Sequence, residues 1–314
     1  MLFNTDGIAL SGHAAKMYGD SLFPGIALRD IFLADELDNG AKLSRPEEIA
    51  MAENSPGDAR IDVYLICNAK YHDTNFARLE LLTLLAEHED VVVRVAEDYR
   101  AHDAIRQSKL LVTYTCDVCP TPEQQEGLKQ FLDSGGRWFA LHGTSALLEF
   151  VGESLETDGV VIPGKVDTPR KAPALSDMLG NHFVSHPPIQ PIHVTVADPS
   201  HPLVRGIQPF EVTDEPYYCE FYGEIHTLLE SHYTAKSEGY VREDLGNDDP
   251  RPQLYLHPYG QGEVLYLTLG HCRGKYDMQP FMPVCSVERC SWESPVYYEL
   301  LRRGIRWGIG QLGN

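Results

Sequence analysis

The run Gly135-Gly136-Arg137-Trp138-Phe139-Ala140-Leu141-His142-Gly143-Thr144-Ser145 follows a helix-like segment at residues 121–134. The glycine pair ends that helix, and Trp138 to Leu141 reads as a short buried strand. Gly143-Thr144 then opens a second helix-like segment. A strand that stops and turns sharply into a helix lifts one side chain above the carboxyl ends of a sheet, where α/β folds bind their ligands. Nucleophile elbows use this geometry for Ser or Cys. Here the lifted residue is His142, which can exchange a proton or ligate a metal but is an uncommon covalent nucleophile. A general acid/base role stands beside the plain alternative of a histidine hydrogen-bonded in a tight turn. With no thiol at this position, glutamine hydrolysis is disfavoured.

Outward from that turn, strands and helices alternate. Ile61-Asp62-Val63-Tyr64-Leu65-Ile66-Cys67 is a near-continuous apolar run, as in a strand covered on both faces. Residues 75–89 read as an amphipathic helix with Phe76, Leu79, Leu82 and Leu85 on one side. Val91 to Val95 and Leu110 to Tyr114 are further strands, and Thr121-Pro122-Glu123 caps the next helix. The alternation predicts an α/β domain with a doubly wound, mostly parallel sheet. Beyond Phe150 it weakens: residues 152–174 read as loop and 192–196 as a strand. Two strands around Tyr259-Gly260-Gln261-Gly262 give an added β-hairpin region, and residues 295–307 a closing helix. Residues 1–60 read as an accessory segment, with a helical pattern at 28–37, ahead of a main domain at 61–314.

The 314-residue chain carries a net charge of −20, from 26 basic and 46 acidic side chains. Such a field repels polyanions, which argues against nucleic acid or an anionic membrane as partner. No apolar run has membrane-spanning length, and residues 1–20 lack the pattern of a secretory signal. Seven cysteines in so long a chain fit a reducing cytoplasm better than a disulfide framework. Cys116-Asp117-Val118-Cys119 is a lone C-x-x-C, a weak sign of redox or zinc chemistry, for which Cys285 and Cys290 would be the candidate partners.

Other chemistry-bearing residues fall where strands give out. His72-Asp73 follows the first strand, with Asp73 either at the site or capping the next helix. Asp214-Glu215-Pro216-Tyr217 is acidic and surrounded by aromatics, with Glu220 nearby. Carboxylates that accept hydroxyls, and aromatic faces that cover C–H surfaces, are what hold sugars. The alternative is a solvated acidic loop. His271 ends the last hairpin strand, and His186 follows Phe183-Val184-Ser185. His142, Glu215, Asp214 and His271 are the candidate catalytic groups. His72, Asp73, His186, Tyr217 and Glu220 are the candidate substrate contacts. Three imidazoles and a carboxylate would also make a set for Zn²⁺ or Mn²⁺, although no close-spaced metal motif is present and no cofactor is firmly implied.

In order, Tyr71-His72-Asp73, Gly135-Gly136 to Leu141-His142, Phe183-Val184-Ser185-His186-Pro187, His201-Pro202-Leu203-Val204-Arg205-Gly206-Ile207, Asp214-Glu215-Pro216-Tyr217, Tyr259-Gly260-Gln261-Gly262, Leu269-Gly270-His271 and Gly304-Ile305-Arg306-Trp307 form a recognisable series. Over residues 61–310 the chain resembles the ThuA-like (trehalose-utilisation) family. That resemblance implies a flavodoxin-like fold similar to class I glutamine amidotransferases. It also implies use of trehalose or related disaccharides through 3-keto sugars made by a partner sugar dehydrogenase. Residues 1–60 and the long stretch 280–294 depart from the pattern. The expectation is a cytoplasmic enzyme converting a disaccharide or keto-sugar derivative by His/carboxylate acid–base chemistry, as a monomer or homo-oligomer. A non-catalytic sugar-binding protein and a metal-dependent hydrolase are the alternatives.

Overall fold

The computed structural model describes residues 60–157, 160–243 and 247–313. The accessory segment, up to residue 59, and its helical pattern at 28–37 lie outside the described residues. The first half alternates: β1 (Ile61–Ala69), α1 (Thr74–Leu85), β2 (Val91–Ala96), α2 (His102–Arg106), β3 (Leu110–Cys116), α3 (Pro122–Asp133) and β4 (Arg137–Leu141). Next come the short strands β5 (Glu149–Val151), β6 (Leu155–Thr157), β7 (Val160–Ile162) and β8 (Lys165–Asp167), then α4 (Pro173–Leu179) and β9 (Asn181–Ser185). The remainder is β10 (Gln190–Val196), β11 (Phe210–Asp214), β12 (Tyr218–Phe221), β13 (His226–Ser231), β14 (Arg251–Tyr259), β15 (Gly262–Leu267) and the closing helix α5 (Pro295–Ile309).

Nine strands form one sheet in the order β11-β10-β13-β14-β15-β4-β3-β1-β2. β2, β1, β3, β4 and β15 run parallel, whereas β14, β13, β10 and β11 continue antiparallel. The sheet is therefore mixed, and the parallel expectation holds for the half built around β3, which is buried along its whole length. Side-chain alternation sends Leu65, Val112 and Tyr114 to one face, against α1 and α5. Ile66, Leu111 and Trp138 go to the other, against α3 and α4. Among the described residues no helix is long and apolar enough to cross a membrane.

Three local expectations are corrected. α1 buries Ala77, Leu81, Leu84 and Leu85 and leaves Leu79 63% exposed. Of the four expected residues Leu85 is buried and Phe76 and Leu82 pack against the core, so only Leu79 is misplaced; the small Ala77 takes a buried position that a count of large apolar side chains passes over. After β4 there is only one 3₁₀ turn, His142–Ser145, and no α-helix. The loop-like stretch 152–174 contains β6, β7 and β8, in the antiparallel pairs β5/β8 and β6/β7, too short to show a period.

α5 lies close on β4 because Gly304 has no side chain: a Cβ there would overlap the buried Phe139 ring. Gly304→Ala is expected to cost about 1–3 kcal/mol through overpacking. An unchanged thermal midpoint would show that the ring can move aside.

Candidate metal centre and active site

Three turns at the carboxyl ends of parallel strands and one loop from the far edge of the sheet supply the site. His72 follows β1, His142 follows β4 directly, His271 follows β15, and Glu215 follows β11. His142 has φ +45° and Tyr71, just before His72, has φ +67°. Left-handed backbone at residues with side chains is costly and persists where the surroundings enforce it, often at functional sites. One ligand atom from each of His72, His142, Glu215 and His271 lies within 4.8 Å of the other three, and all four residues are buried.

The outer ring nitrogens are each committed to an acceptor. His72 Nδ1 donates to the Lys70 carbonyl at 2.7 Å and His142 Nδ1 to the Thr268 carbonyl at 2.9 Å. His271 Nε2 donates to Glu288 Oε2 at 3.0 Å. A neutral imidazole with one nitrogen donating presents a lone pair at the other. The inward nitrogens of the neutral rings His72 and His142 are therefore acceptors, and His72 Nε2 and His142 Nε2 face each other at 3.0 Å. His271 Nδ1 is buried with no hydrogen-bond partner, its nearest carboxylate oxygen, Glu215 Oε2, lying 3.5 Å away. That oxygen is also 3.6 Å from His142 Nε2. Convergent lone pairs on rings oriented by outer acceptors are the arrangement in which a protein holds a divalent cation.

The electrostatics leave His72 neutral and Glu215 ionised, and put a proton on His271. Burial, helped by the neighbouring His271 and His142, holds His72 well below the usual imidazole range, so it stays neutral. Burial would raise the Glu215 carboxyl, but His186 and His271 outweigh it and hold it well below the usual carboxylate range. His271 is raised to about 9: burial works against its charge, and Glu215 overcomes it. Without a cation the cluster thus compensates its carboxylate with a proton on His271.

Around this cluster opens a cavity of ≈ 380 Å³ onto which His72, Glu215 and His271 face. His186 lines it with Nε2 3.3 Å from Glu215 Oε1. Tyr217 donates to His142 Nε2 at 2.9 Å, and burial together with Glu215 pushes its hydroxyl well above the usual phenol range, keeping the proton on.

Other sequence candidates sit elsewhere. Asp214 is fully buried behind the cluster. It accepts from the amides of Glu215 (2.7 Å), Gly270 (2.9 Å) and His271 (3.1 Å) and from the Ser291 hydroxyl. It ties together the loops that carry Glu215 and His271 and does not line the cavity. Asp73 caps α1 through Phe76 N at 3.2 Å and pairs with Arg289 at 3.0 Å, the capping alternative. Glu220 is engaged by Arg242 (2.5 Å) and Tyr222 (3.0 Å), apart from the cavity. All seven cysteines are free, so Cys116 and Cys119 are not joined.

Sequence reading missed Thr268 and Glu288, which orient two of the imidazoles, and Arg273, which pairs with Glu288 at 3.0 Å. Glu288 falls in the stretch noted as longer than the pattern, the one signal that pointed to it. The aromatic wall of Tyr71, Phe150 and Phe281 was also unforeseen.

No curated protein matches the chain in sequence. Residues 159–286 match the family model ThuA, described as trehalose utilisation. A ThuA-like protein of Bacteroides uniformis superposes with a TM-score of 0.54 at 15% identity, covering 82% of this chain and 95% of its own. A second, from Parabacteroides merdae, gives 0.53 at 16%, covering 81% and 92%. At such identities the likeness establishes the fold. The ThuA-like resemblance read from the sequence is thereby borne out: residues 159–286 match the ThuA model, and the fold is similar to that of ThuA-like proteins.

Proposed function

We propose that the chain is a divalent-metal-dependent enzyme acting on a sugar or keto-sugar derivative. The observation that carries this is the convergence of three oriented imidazole nitrogens and one ionised carboxylate beside a cavity. The family description, trehalose utilisation, supports carbohydrate metabolism as the setting. A Zn²⁺ or Mn²⁺ held by His72, His142, Glu215 and His271 would polarise a substrate carbonyl or hydroxyl oxygen.

The remaining groups fit proton transfer. His186 is the one cavity-lining imidazole outside the cluster, and burial keeps it below its ordinary range and so neutral at pH 7. With Nδ1 donating to the Pro187 carbonyl, its Nε2 is free to take a proton from a carbon next to a carbonyl, sharing it with Glu215 Oε1 across 3.3 Å. The Tyr217 hydroxyl keeps its proton and serves as a fixed donor. This reading assigns His142 and His271 to the metal and the base role to His186. It retains a cytoplasmic setting, a sugar ligand and a partner dehydrogenase that supplies the keto group.

The test is elemental analysis of protein purified without added metal, followed by assay on 3-keto-glucosides with and without chelator. We expect a stoichiometric divalent ion and loss of turnover on its removal. Full turnover in metal-free protein would sink the reading, and sugar binding without product would make this a binding protein.

Proton linkage gives a second check. Since His271 holds a proton up to about pH 9, cation binding must displace it. Affinity should rise with pH from 7 to about 9 and level off above. Calorimetry in buffers of differing ionisation enthalpy should show proton release at pH 7; none at that pH would contradict the ligand set.

A further inference from the structure

We propose that the substrate carries a large apolar group, aryl or alkyl, on the side away from the cluster: a glycoside with an apolar aglycone and not a free disaccharide. This rests on the sugar reading above and narrows it. Apart from the cluster and His186, the polar side chains lining the cavity are three tyrosines, Arg273 and Cys116. Among the described residues no Ser, Thr, Asn, Gln, Asp or Lys lines it. The Tyr217 hydroxyl lies 2.9 Å from His142 Nε2, at the cluster and away from the outer wall, and Nη1 of Arg273 is engaged with Glu288. A disaccharide has hydroxyls over its whole periphery, and each one taken from water without a partner weakens binding.

The wall offers the opposite chemistry. The rings of Tyr71, Phe150 and Phe281 meet at centroid distances of 6.2, 5.6 and 4.9 Å. An aromatic ring alone would also suit the C–H face of a sugar. Val161, Ile162 and Met282 extend the surface, however, and give a hydroxyl nothing. The Val161 amide donates to the Phe281 carbonyl at 2.9 Å, joining β7 to the opposite side of the wall. At the rim Ile162 is 52% exposed, Met282 38% and Phe150 36%, apolar surface that an aglycone would cover. The cavity, ≈ 380 Å³, lies in the size range of small-molecule sites.

The experiment is calorimetry on the full-length protein as purified, its metal content measured in parallel, with phenyl β-glucoside, methyl β-glucoside and trehalose. Phenyl β-glucoside should bind roughly 10- to 100-fold more tightly than the other two, the range over which an apolar pocket discriminates. Phe281→Ala and Ile162→Ser, neither near a ligand atom, should each remove most of that ratio while metal content stays unchanged. Trehalose binding as tightly as the phenyl glucoside, no binding by any of the three, or an aryl preference that survives both substitutions would overturn the inference. Metal content is read separately: a stoichiometric ion without aryl preference removes this inference alone. Aryl preference without any ion supports it and removes the metal chemistry.

Discussion

His142→Ala is expected to lower divalent-cation affinity by more than about 100-fold, since changes to residues that merely orient ligands already cost 10- to 100-fold. His142 provides a nitrogen 3.0 Å from that of His72 and 3.6 Å from Glu215, so its loss opens the cluster at its centre. Two measurements separate ligand loss from misfolding. In the wild type, a cation at 100 times its dissociation constant should add about 2.7 kcal/mol of stability, raising the melting midpoint. The variant should fold, melt cooperatively and show no cation-dependent rise. Tyr217→Phe removes the hydroxyl beside the same nitrogen but no ligand, and should keep the ion. Stoichiometric metal in His142→Ala would show that the four residues do not form the centre.

Asp214→Ala should be the most destabilising single change near the site. The carboxylate accepts from three amides and a hydroxyl in a fully buried position, and its removal strands those donors. A loss on the order of 3–5 kcal/mol follows from leaving buried polar groups unpaired. It should appear as a lower urea midpoint with an unchanged slope. Asp214→Asn, which keeps one acceptor oxygen, should recover part of it. If Asp214→Ala lost turnover while keeping wild-type stability, Asp214 would be a catalytic group and not a positioning residue.

These two neighbours show where sequence reading works and where it stops. Asp214 and Glu215 are adjacent acids after one strand, and both read as catalytic candidates. Their opposite fates follow from the end of β11: its last residue turns its carboxylate onto the amides of the 270–271 loop and Ser291, and the next turns toward the cluster. In α1 the apolar count likewise favoured Leu79, which the structure exposes, and passed over the small, buried Ala77. His72 and His142 were legible, since strand ends in parallel α/β sheets gather at one rim.

The order of hydrophobic runs by itself determined that the first half is an α/β unit and that His72, His142 and His271 end strands. Periodicity and turn chemistry are local and need no partner to be read. Only the tertiary structure decided that Glu215, arriving from the antiparallel edge, completes the set. It alone paired Glu288 and Thr268 with two of the rings and raised an apolar wall over the cluster. Those contacts join residues far apart in the chain (Thr268 to His142 spans 126 positions), and no local pattern encodes a meeting that depends on how the strands are ordered in the sheet.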